Sequence, residues 1–231
     1  MPAGAGFLSI PFDVPPYRLS GRVYGALLNH RPALAALGDA PSRPPYNAPP
    51  KAPVLYIKPR NTLAISGDIV RIPAGVAELE VGACVGMVMG RTASRVSEAR
   101  ALDYVAGYLI VADVSIPHSS YHRPSIRLKA RDGFCPLGPA VTACAPGLDP
   151  DALTIRTRVD GGPVQTAGTA DLIRSASRLL SDVTEFMTLA PGDVLSLGAV
   201  SPAQRVRRGQ TLTIEIDALG TLSIPFADES A

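Results

Sequence analysis

A nearly uncharged run, Leu79–Gly90, constrains the fold of this chain more than any other segment. The run is rich in valine and methionine, and a stretch of this composition and length predicts a buried strand. A second apolar segment, Tyr108–Ala112, predicts another strand, which ends abruptly in Asp113. The middle of the chain is therefore expected to contribute strands to the core.

Prolines and glycines divide the rest of the chain into short elements, since both residue types interrupt helices and strands. The sequence contains 23 prolines and 21 glycines. Further strands are predicted over Arg22–Leu28, Val54–Ile57, Asp68–Ile72 and Leu153–Val159, with a hairpin turn at Asp160–Gly162 and a meander of short strands at the end of the chain. Many strands and no repeated βαβ alternation predict an α+β, β-rich domain, a mixed β-roll or barrel with few helices.

Two segments have a helical pattern. Ser97–Ala106 places apolar residues on one face, with Ser97 as a candidate N-cap. A longer apolar periodicity runs from Leu172 to Phe186, and Thr169 or Asp171 is the predicted cap near its N-terminus.

The length of 231 residues fits one large β-rich domain with a sizeable core. Residues 1–20 carry four prolines and two glycines without periodicity and are interpreted as an extended leader. The domain then covers residues 21–231, of which 21–65 form a smaller N-terminal part. The proline-rich stretch Pro41–Pro53 within that part is a linker or a lid segment.

Composition excludes several classes of partner and location. The formal charge of +2, without a basic stripe interleaved with aromatic residues, argues against nucleic acid. Three cysteines, Cys84, Cys135 and Cys144, are an odd number without paired spacing, which fits a reducing compartment. No apolar run reaches membrane-spanning length and no signal-peptide pattern is found at the N-terminus. We therefore expect a cytoplasmic protein with no membrane partner.

The mid-chain segment Lys129–Pro139 combines three charged residues with two prolines and two glycines. This composition predicts an irregular loop beside the core, and such loops often carry function. The alternative is a charged surface turn. Asp113 is a second site candidate, because a carboxylate at the end of a buried strand is costly unless it is paired or bound to a metal. Its alternative is a turn or capping residue.

Motifs of several enzyme classes are missing: a glycine-rich phosphate loop, a metalloprotease histidine pair and a nucleophile elbow. Three histidines, His30, His118 and His122, are few for a histidine metal site. His118 and His122 have helical spacing, but Pro117 and Pro124 argue against a helix there.

Four segments resemble, in order and spacing, the fumarylacetoacetate hydrolase family over about Arg22–Pro225: Asp113–Ser115, Lys129–Pro139, Thr169–Ile173 and Glu185–Asp193. Four further stretches resemble the N-terminal half of the isomerase/decarboxylase branch of this family, which is built from two homologous halves or two subunits. These stretches are Ala26–Arg31, Ala48–Lys51, Tyr56–Thr62 and Tyr121–Ser125.

The resemblance implies a fold and a chemistry. The family uses Mg²⁺ or Mn²⁺ held by three carboxylates, and the ion polarises the 2-oxo acid end of the substrate. Asp113 matches the third ligand, and Lys129 matches a catalytic basic position. The implied substrate-binding positions are Lys58, Arg123, Asp132 and Thr169.

Two departures from the family pattern concern the metal. Gly82 and Cys84 occupy the positions of the Glu-x-Glu pair, and neither offers a carboxylate oxygen. Glu78 and Glu80 have the same spacing four residues earlier, but they would need a register shift in a strongly specified strand. Ligation by these two glutamates is the alternative expectation.

Two other departures concern acid/base chemistry and a hydroxyl group. Ala33 and Ala36 stand where many family members carry a histidine and a glutamate on a lid. Gly198–Val200 stands where a Gly-Thr-Pro segment is expected near the substrate.

The resemblance therefore implies a subunit that decarboxylates 5-oxopent-3-ene-1,2,5-tricarboxylate and isomerises 2-hydroxyhepta-2,4-diene-1,7-dioate in aromatic catabolism, with a degenerate metal site of its own. The implied partner is a homologous subunit or a second copy of the chain. One alternative is a non-catalytic structural subunit. The other is an acylpyruvate-type hydrolase, against which the missing lid histidine and glutamate weigh, because water attack needs a general base.

Overall fold

Strands dominate the residues that the computed structural model of the chain describes, which are 7–9, 19–118 and 125–229. The strands are β1 (Phe7–Ser9), β2 (Val23–Leu27), β3 (Val54–Lys58), β4 (Leu63–Ile65), β5 (Val70–Ile72), β6 (Leu79–Met89), β7 (Val105–Ser115), β8 (Cys135–Ala143), β9 (Thr154–Val159), β10 (Gln165–Gly168), β11 (Val194–Ser196), β12 (Gln204–Val206), β13 (Thr211–Ile216) and β14 (Gly220–Asp228). The predicted β-rich class is confirmed.

Helices in the described ranges are few and short. The α-helices are α1 (Arg31–Ala35), α2 (Ile126–Lys129) and α3 (Ala176–Thr184), and 3-10 helices cover Ala40–Ser42, Arg60–Thr62, Glu98–Tyr104 and Thr169–Asp171. None of them has the length and apolar character that crossing a membrane requires.

The larger sheet is built around β6 and β7. Its strand order is β1-β8-β7-β6-β11-β2-β3, with β12 also paired to β6 and β4 to β8. The side chains of β6 and β7 are buried along almost their whole length, as the uncharged composition of the run Leu79–Gly90 predicts. In their antiparallel ladder Gly82 pairs with Asp113 and Glu80 with Ser115.

A second sheet has the order β10-β9-β13-β14-β5. This sheet, the larger sheet and α3 share the main apolar core. The helix contributes Leu179, Leu180 and Val183 to that core. A smaller apolar cluster lies around Cys84 and Cys135 in the larger sheet. The predicted strands near residues 22–28, 54–57, 68–72 and 153–159 are present. The predicted terminal meander is wrong, because β11 and β12 pair with β6 in the larger sheet, whereas β13 and β14 pair with each other in the second sheet.

The segment Lys129–Pro139 is not the irregular loop that its prolines predict. Lys129 ends α2, and Cys135 already begins β8, which pairs with β7, β1 and β4. The ladder between β7 and β8 shifts register where Ile110 pairs with Gly138, so Pro139 falls at the irregularity. Burial of Phe134, Cys135 and Leu137 outweighs the loss of the backbone N–H donors that prolines lack.

Both predicted helices differ in detail from their patterns. Glu98–Tyr104 is a 3-10 helix whose one buried residue is Ala101, and the chain then enters β7 directly at Val105. Thr169 and Asp171 lie in a separate 3-10 helix. The N-cap of α3 is Ser175, whose Oγ accepts a hydrogen bond from the amide N–H of Arg178 at 3.2 Å.

We expect Ser175→Ala to lower the free energy of unfolding by about 1 kcal/mol, because it removes the side-chain acceptor at the N-terminus of α3. Asp171→Ala, at an exposed position before that helix, is the matched control and is expected to change stability by less than about 0.5 kcal/mol. Urea unfolding measures both values. The reverse ranking would place the functional cap at Asp171 after all.

Candidate active site

Asp113 lies at the centre of the candidate site. It lies within β7 and not at the end of the strand, because β7 continues to Ser115. Its side chain is 6% exposed and therefore needs partners for its charge. This burial is consistent with the prediction that Asp113 is a site residue.

Two ammonium groups supply those partners. Lys129 Nζ, at the C-terminal end of α2, lies 2.6 Å from Asp113 Oδ2, and Lys58 Nζ, at the end of β3, lies 3.1 Å from Oδ1. Both lysines are buried. Two positive charges against one negative charge leave an excess of one positive charge in the cluster.

Lys58 is fully enclosed by the protein. Its Nζ donates hydrogen bonds to the carbonyl oxygens of Val114 at 2.5 Å, Lys129 at 2.8 Å and Phe134 at 2.8 Å. An ammonium group has three protons, so these carbonyls occupy all of its donors. Lys58 therefore joins β3, the end of β7 and the segment after α2, and we propose a positioning role for it in place of direct substrate contact.

Burial and the neighbouring charges act in opposite directions on the pKa values of Asp113 and Lys58. Burial alone would raise the pKa of Asp113, but the ion pairs with Lys129 and Lys58 outweigh it and lower this pKa to about 2. Burial is the main cause that lowers the pKa of Lys58, and Asp113 opposes it. Asp113 is thus a carboxylate at neutral pH.

The aromatic ring of Tyr56 covers the ammonium group of Lys129. Lys129 Nζ lies 4.7 Å from the centroid of the Tyr56 ring, a cation–π contact. Tyr56 is paired across the strands with Gly25, and a Cβ atom at Gly25 would lie 2.0 Å from the ring. Gly25 is therefore required for the ring to lie flat against β2. Burial, followed by the charge of Asp113, raises the pKa of Tyr56 well above its usual value.

Asp113 and Lys129 line a cavity of about 200 Å³. Its polar lining also includes Glu80, Ser115, His118 and Ser201. Its apolar lining includes Ala33, Ala36 and Leu37 from α1 and the residues after it. The two alanines at the expected lid positions thus border the same cavity as Asp113 and Lys129.

The two positions expected to supply glutamate ligands do not fit a divalent metal. Gly82 faces Asp113 across the ladder, but a Cβ atom there would lie 2.5 Å from Ala199 Cβ. Cys84 lies in an apolar cluster, and burial raises the pKa of its thiol to about 12. A neutral thiol in apolar surroundings is a poor ligand for Mg²⁺ or Mn²⁺, which prefer oxygen.

Glu78 and Glu80, the alternative ligands, are held by arginines. Glu80 lies 2.9 Å from Arg205, and Glu78 pairs with both Arg205 and Arg207. Glu80 opposes Ser115 in the ladder, two residues beyond Asp113, so no register shift brings it opposite Asp113. No group of three or more potential ligands occurs among the described residues. The residues around Asp113 therefore do not fit the metal site that the family resemblance implies.

Two of the other predicted substrate positions, Asp132 and Thr169, are bonded elsewhere in the structure. Asp132 is exposed and accepts a hydrogen bond from Asn61 Nδ2 at 2.7 Å. Thr169 is buried, and its Oγ1 accepts from the amide N–H of Leu153 at 2.8 Å. Neither is part of the described lining of the cavity. Arg123 lies outside the described residues.

Ser115, His118 and Ser201 line the cavity but are not among the predicted site residues. The sequence pattern presents His118 only as a candidate metal ligand together with His122, which lies outside the described residues. In the structure it lines the cavity, and its Nδ1 lies 2.8 Å from the carbonyl oxygen of Ile116. Its position five residues after Asp113 was the one available signal.

Comparisons with known proteins place this geometry in context. The family model described as fumarylacetoacetate (FAA) hydrolase C-terminal matches residues 22–227. A Salmonella dublin protein named 4-hydroxyphenylacetate degradation bifunctional isomerase/decarboxylase is 42% identical over 242 aligned residues, which cover 92% of this chain and 55% of that protein. An Escherichia coli protein of the same name is 40% identical, over 91% of this chain and 48% of that protein. The chain spans about half the length of these curated relatives.

Solved structures share the fold. The 5-carboxymethyl-2-hydroxymuconate delta-isomerase from Mycobacterium smegmatis has a TM-score of 0.77 and 28% identity, and the match covers 92% of this chain and 81% of that chain. Fumarylpyruvate hydrolase from Pseudomonas aeruginosa, solved with Mn²⁺ and pyruvate, has a TM-score of 0.79 at 24% identity, covering 99% of this chain and 98% of that chain. The second match concerns the fold alone.

We expect Lys58→Met to lower the free energy of unfolding by about 3–5 kcal/mol, because it leaves the buried Asp113 charge with one partner and three carbonyls without a donor. Lys51→Met, at an exposed lysine, is the control and is expected to stay within about 0.5 kcal/mol of the parent. Denaturant unfolding measures both. A similarly small effect at Lys58 would show that the cluster does not hold the strands together.

We also expect Gly82→Ala to destabilise the chain by about 1–3 kcal/mol, since the new Cβ atom would meet Ala199 Cβ. Ala199→Gly should remove this clash. Gly82→Ala is therefore expected to cost much less stability in the Ala199→Gly background than in the parent chain. A double-mutant cycle from unfolding curves measures the coupling. Additive effects would mean that the space in front of Gly82 is open.

Proposed function

Because the chain belongs to the fumarylacetoacetate hydrolase family, we propose that it is a subunit of an isomerase/decarboxylase acting on acidic 2-oxo and 2-hydroxy dienoates. The substrates proposed are 5-oxopent-3-ene-1,2,5-tricarboxylate, which is decarboxylated, and 2-hydroxyhepta-2,4-diene-1,7-dioate, which is isomerised. Two relatives at 40–42% identity bear the isomerase/decarboxylase name, and an isomerase of a related compound shares the fold.

The observation that carries the proposal is the excess positive charge beside the cavity. Lys58 and Lys129 share the single carboxylate of Asp113 in surroundings where water screens little of the charge. A substrate with several carboxylates and a 2-oxo group is attracted to such a site. Lys129, which lines the cavity, binds the substrate anion through a charge-assisted hydrogen bond.

The proposal includes a degenerate metal site in this chain. The residues at the expected ligand positions do not fit a divalent ion, so no step at Asp113 is assigned to one. The chain also spans about half the length of its curated relatives. A homologous partner subunit that retains the carboxylates would supply the metal-dependent part of catalysis, and this chain would supply a second acid-binding site.

Hydrolysis of acylpyruvates is less well supported by the site. Ala33 and Ala36 border the cavity at the place where a lid histidine and glutamate would activate water in a hydrolase of this family. A non-catalytic structural subunit differs from the proposal in needing no role for Lys129.

We expect the purified chain to contain less than about a tenth of an equivalent of Mg²⁺ or Mn²⁺ after dialysis against either ion. The two carboxylates in the described lining, Asp113 and Glu80, are already paired with lysines and with Arg205. With EDTA present, the chain is still expected to bind 2-oxoadipate, a dianionic 2-oxo acid. Lys129→Met should weaken this binding at least about tenfold, the effect of losing a hydrogen bond to a charged group. Elemental analysis and isothermal titration calorimetry provide the measurements.

Lys51→Met is the control for the loss of one surface charge and should leave binding unchanged. One equivalent of metal per chain would contradict the degenerate site. Equal binding by the parent and Lys129→Met would contradict a substrate role for Lys129. In an assembly with the partner, turnover of the tricarboxylate that is unchanged by Lys129→Met would favour the structural subunit.

A further inference from the structure

The side chain of His30 joins two segments that line the cavity. His30 immediately precedes α1, whose Ala33 is a lining residue, and its Nδ1 accepts a hydrogen bond at 3.1 Å from the amide N–H of Ser201, which also lines the cavity. We propose that neutral His30 is a positioning residue for the cavity, and that its protonation weakens the binding of an acidic substrate there. This inference rests on the proposed function, because it assumes that the cavity binds a 2-oxo acid.

The contact with Ser201 fixes the protonation state of His30. A backbone N–H can only donate, so Nδ1 carries the lone pair and the single ring hydrogen lies on Nε2. The residue is 1% exposed, and its Nε2 has no hydrogen-bond partner among the described residues. A second proton could enter the ring only at Nδ1, where it would oppose the N–H of Ser201. Protonation of His30 therefore breaks the contact.

The segment that His30 holds forms a continuous part of the cavity lining, which consists of Ala199, Val200 and Ser201. Its first part is held on β6, because the amide N–H groups of Leu197 and Val200 donate to carbonyl oxygens of that strand at 2.9 and 3.0 Å. At Ser201 the amide N–H donates to the imidazole of His30 instead. Of these three contacts, only the last one depends on a group that titrates near neutral pH.

Charged residues on the segments next to His30 are Asp171, Arg31 and Arg174. Burial is the main cause that lowers the pKa of His30 below its usual value, and the charge of Asp171 opposes this shift. Arg31 donates to a backbone carbonyl oxygen at 3.3 Å, and Arg174 is held in an ion pair at 3.0 Å. The segment 197–203 carries no ionisable side chain. His30 is therefore neutral at pH 7, and it gains a proton only as the pH falls below about 6.5.

The direction of the pH effect separates a positioning role from an electrostatic one. A positive charge on His30 would by itself strengthen the attraction for a substrate carboxylate, and a positive charge on His118 in the lining would do the same.

Loss of the contact with Ser201 acts in the other direction. It releases the end of the lining segment, and ordering that segment again costs free energy when a substrate binds. The Asp113 carboxylate does not add to the effect, because its pKa of about 2 keeps it ionised throughout. Weaker binding of an anion at lower pH therefore indicates that the positioning contact has been lost.

The test is calorimetric binding of 2-oxoadipate to the whole chain, with EDTA present, at about pH 8 and about pH 5, where ordinary carboxyl groups stay mainly ionised. We expect the dissociation constant of the parent chain to be at least about threefold higher at the lower pH, through the uptake of one proton. His30→Asn supplies an amide oxygen that can accept from Ser201 without titrating. This variant should bind within about twofold of the parent at the higher pH and lose the weakening at the lower pH.

Two further variants serve as controls. His30→Leu offers no acceptor and is expected to bind about threefold to tenfold more weakly than the parent at the higher pH, the effect of losing one hydrogen bond. His118→Gln removes the titratable ring from the lining and keeps the contact between His30 and Ser201, so it should retain the weakening at the lower pH. Far-UV circular dichroism follows the fold of every sample.

The outcomes separate this inference from the proposed function. Equal or tighter binding by the parent chain at the lower pH would overturn the positioning role and leave the substrate-binding role intact. No binding by the parent at either pH would overturn the proposed function and, with it, this inference. Weakening that persists in His30→Asn or disappears in His118→Gln would overturn the role of His30. Loss of the parent's circular dichroism signal at the lower pH would overturn it as well, since the fold and not the cavity would then respond.

Discussion

The buried ammonium group of Lys58 binds three carbonyl oxygens and contacts Asp113, and the arrangement of the candidate site depends on this one set of contacts. The carbonyls belong to the end of β7, the end of α2 and the residue before β8. A charge removed from water is tolerated only when its donors are satisfied, so the three segments must keep their present spacing. The same spacing brings Lys129 into its ion pair with Asp113 and leaves His118 in the lining of the cavity.

The same cluster explains why the metal ligands expected from the family can be missing without leaving Asp113 unpaired. Two ammonium groups now neutralise the buried carboxylate. The room in front of Gly82 is closed by Ala199, and Cys84 has joined an apolar cluster. Neither position offers a carboxylate oxygen, and both lie against apolar neighbours.

Much of the fold could be predicted from the sequence. Long, nearly uncharged runs predict β6 and β7, and glycines and prolines predict the turns. Local rules failed where tertiary burial overrode them. Pro136 and Pro139 lie in β8 because neighbouring strands and a register shift accept them. Asp113 and Lys129 could be identified as candidates by resemblance, whereas the enclosure of Lys58 depends on three carbonyls that no side-chain pattern reveals.

The substitution of an ammonium for a divalent ion also limits the chemistry that this chain can perform unaided. An ammonium carries half the charge of Mg²⁺ and binds one oxygen of a 2-oxo acid through N–H, whereas a metal ion can chelate both the oxo and the carboxylate oxygens. Its stabilisation of an enolate is correspondingly smaller. Proton abstraction beside a carbonyl and loss of carbon dioxide both pass through an enolate that carries a full negative charge. Both steps would therefore be better suited to the proposed partner subunit with carboxylate ligands and a metal ion.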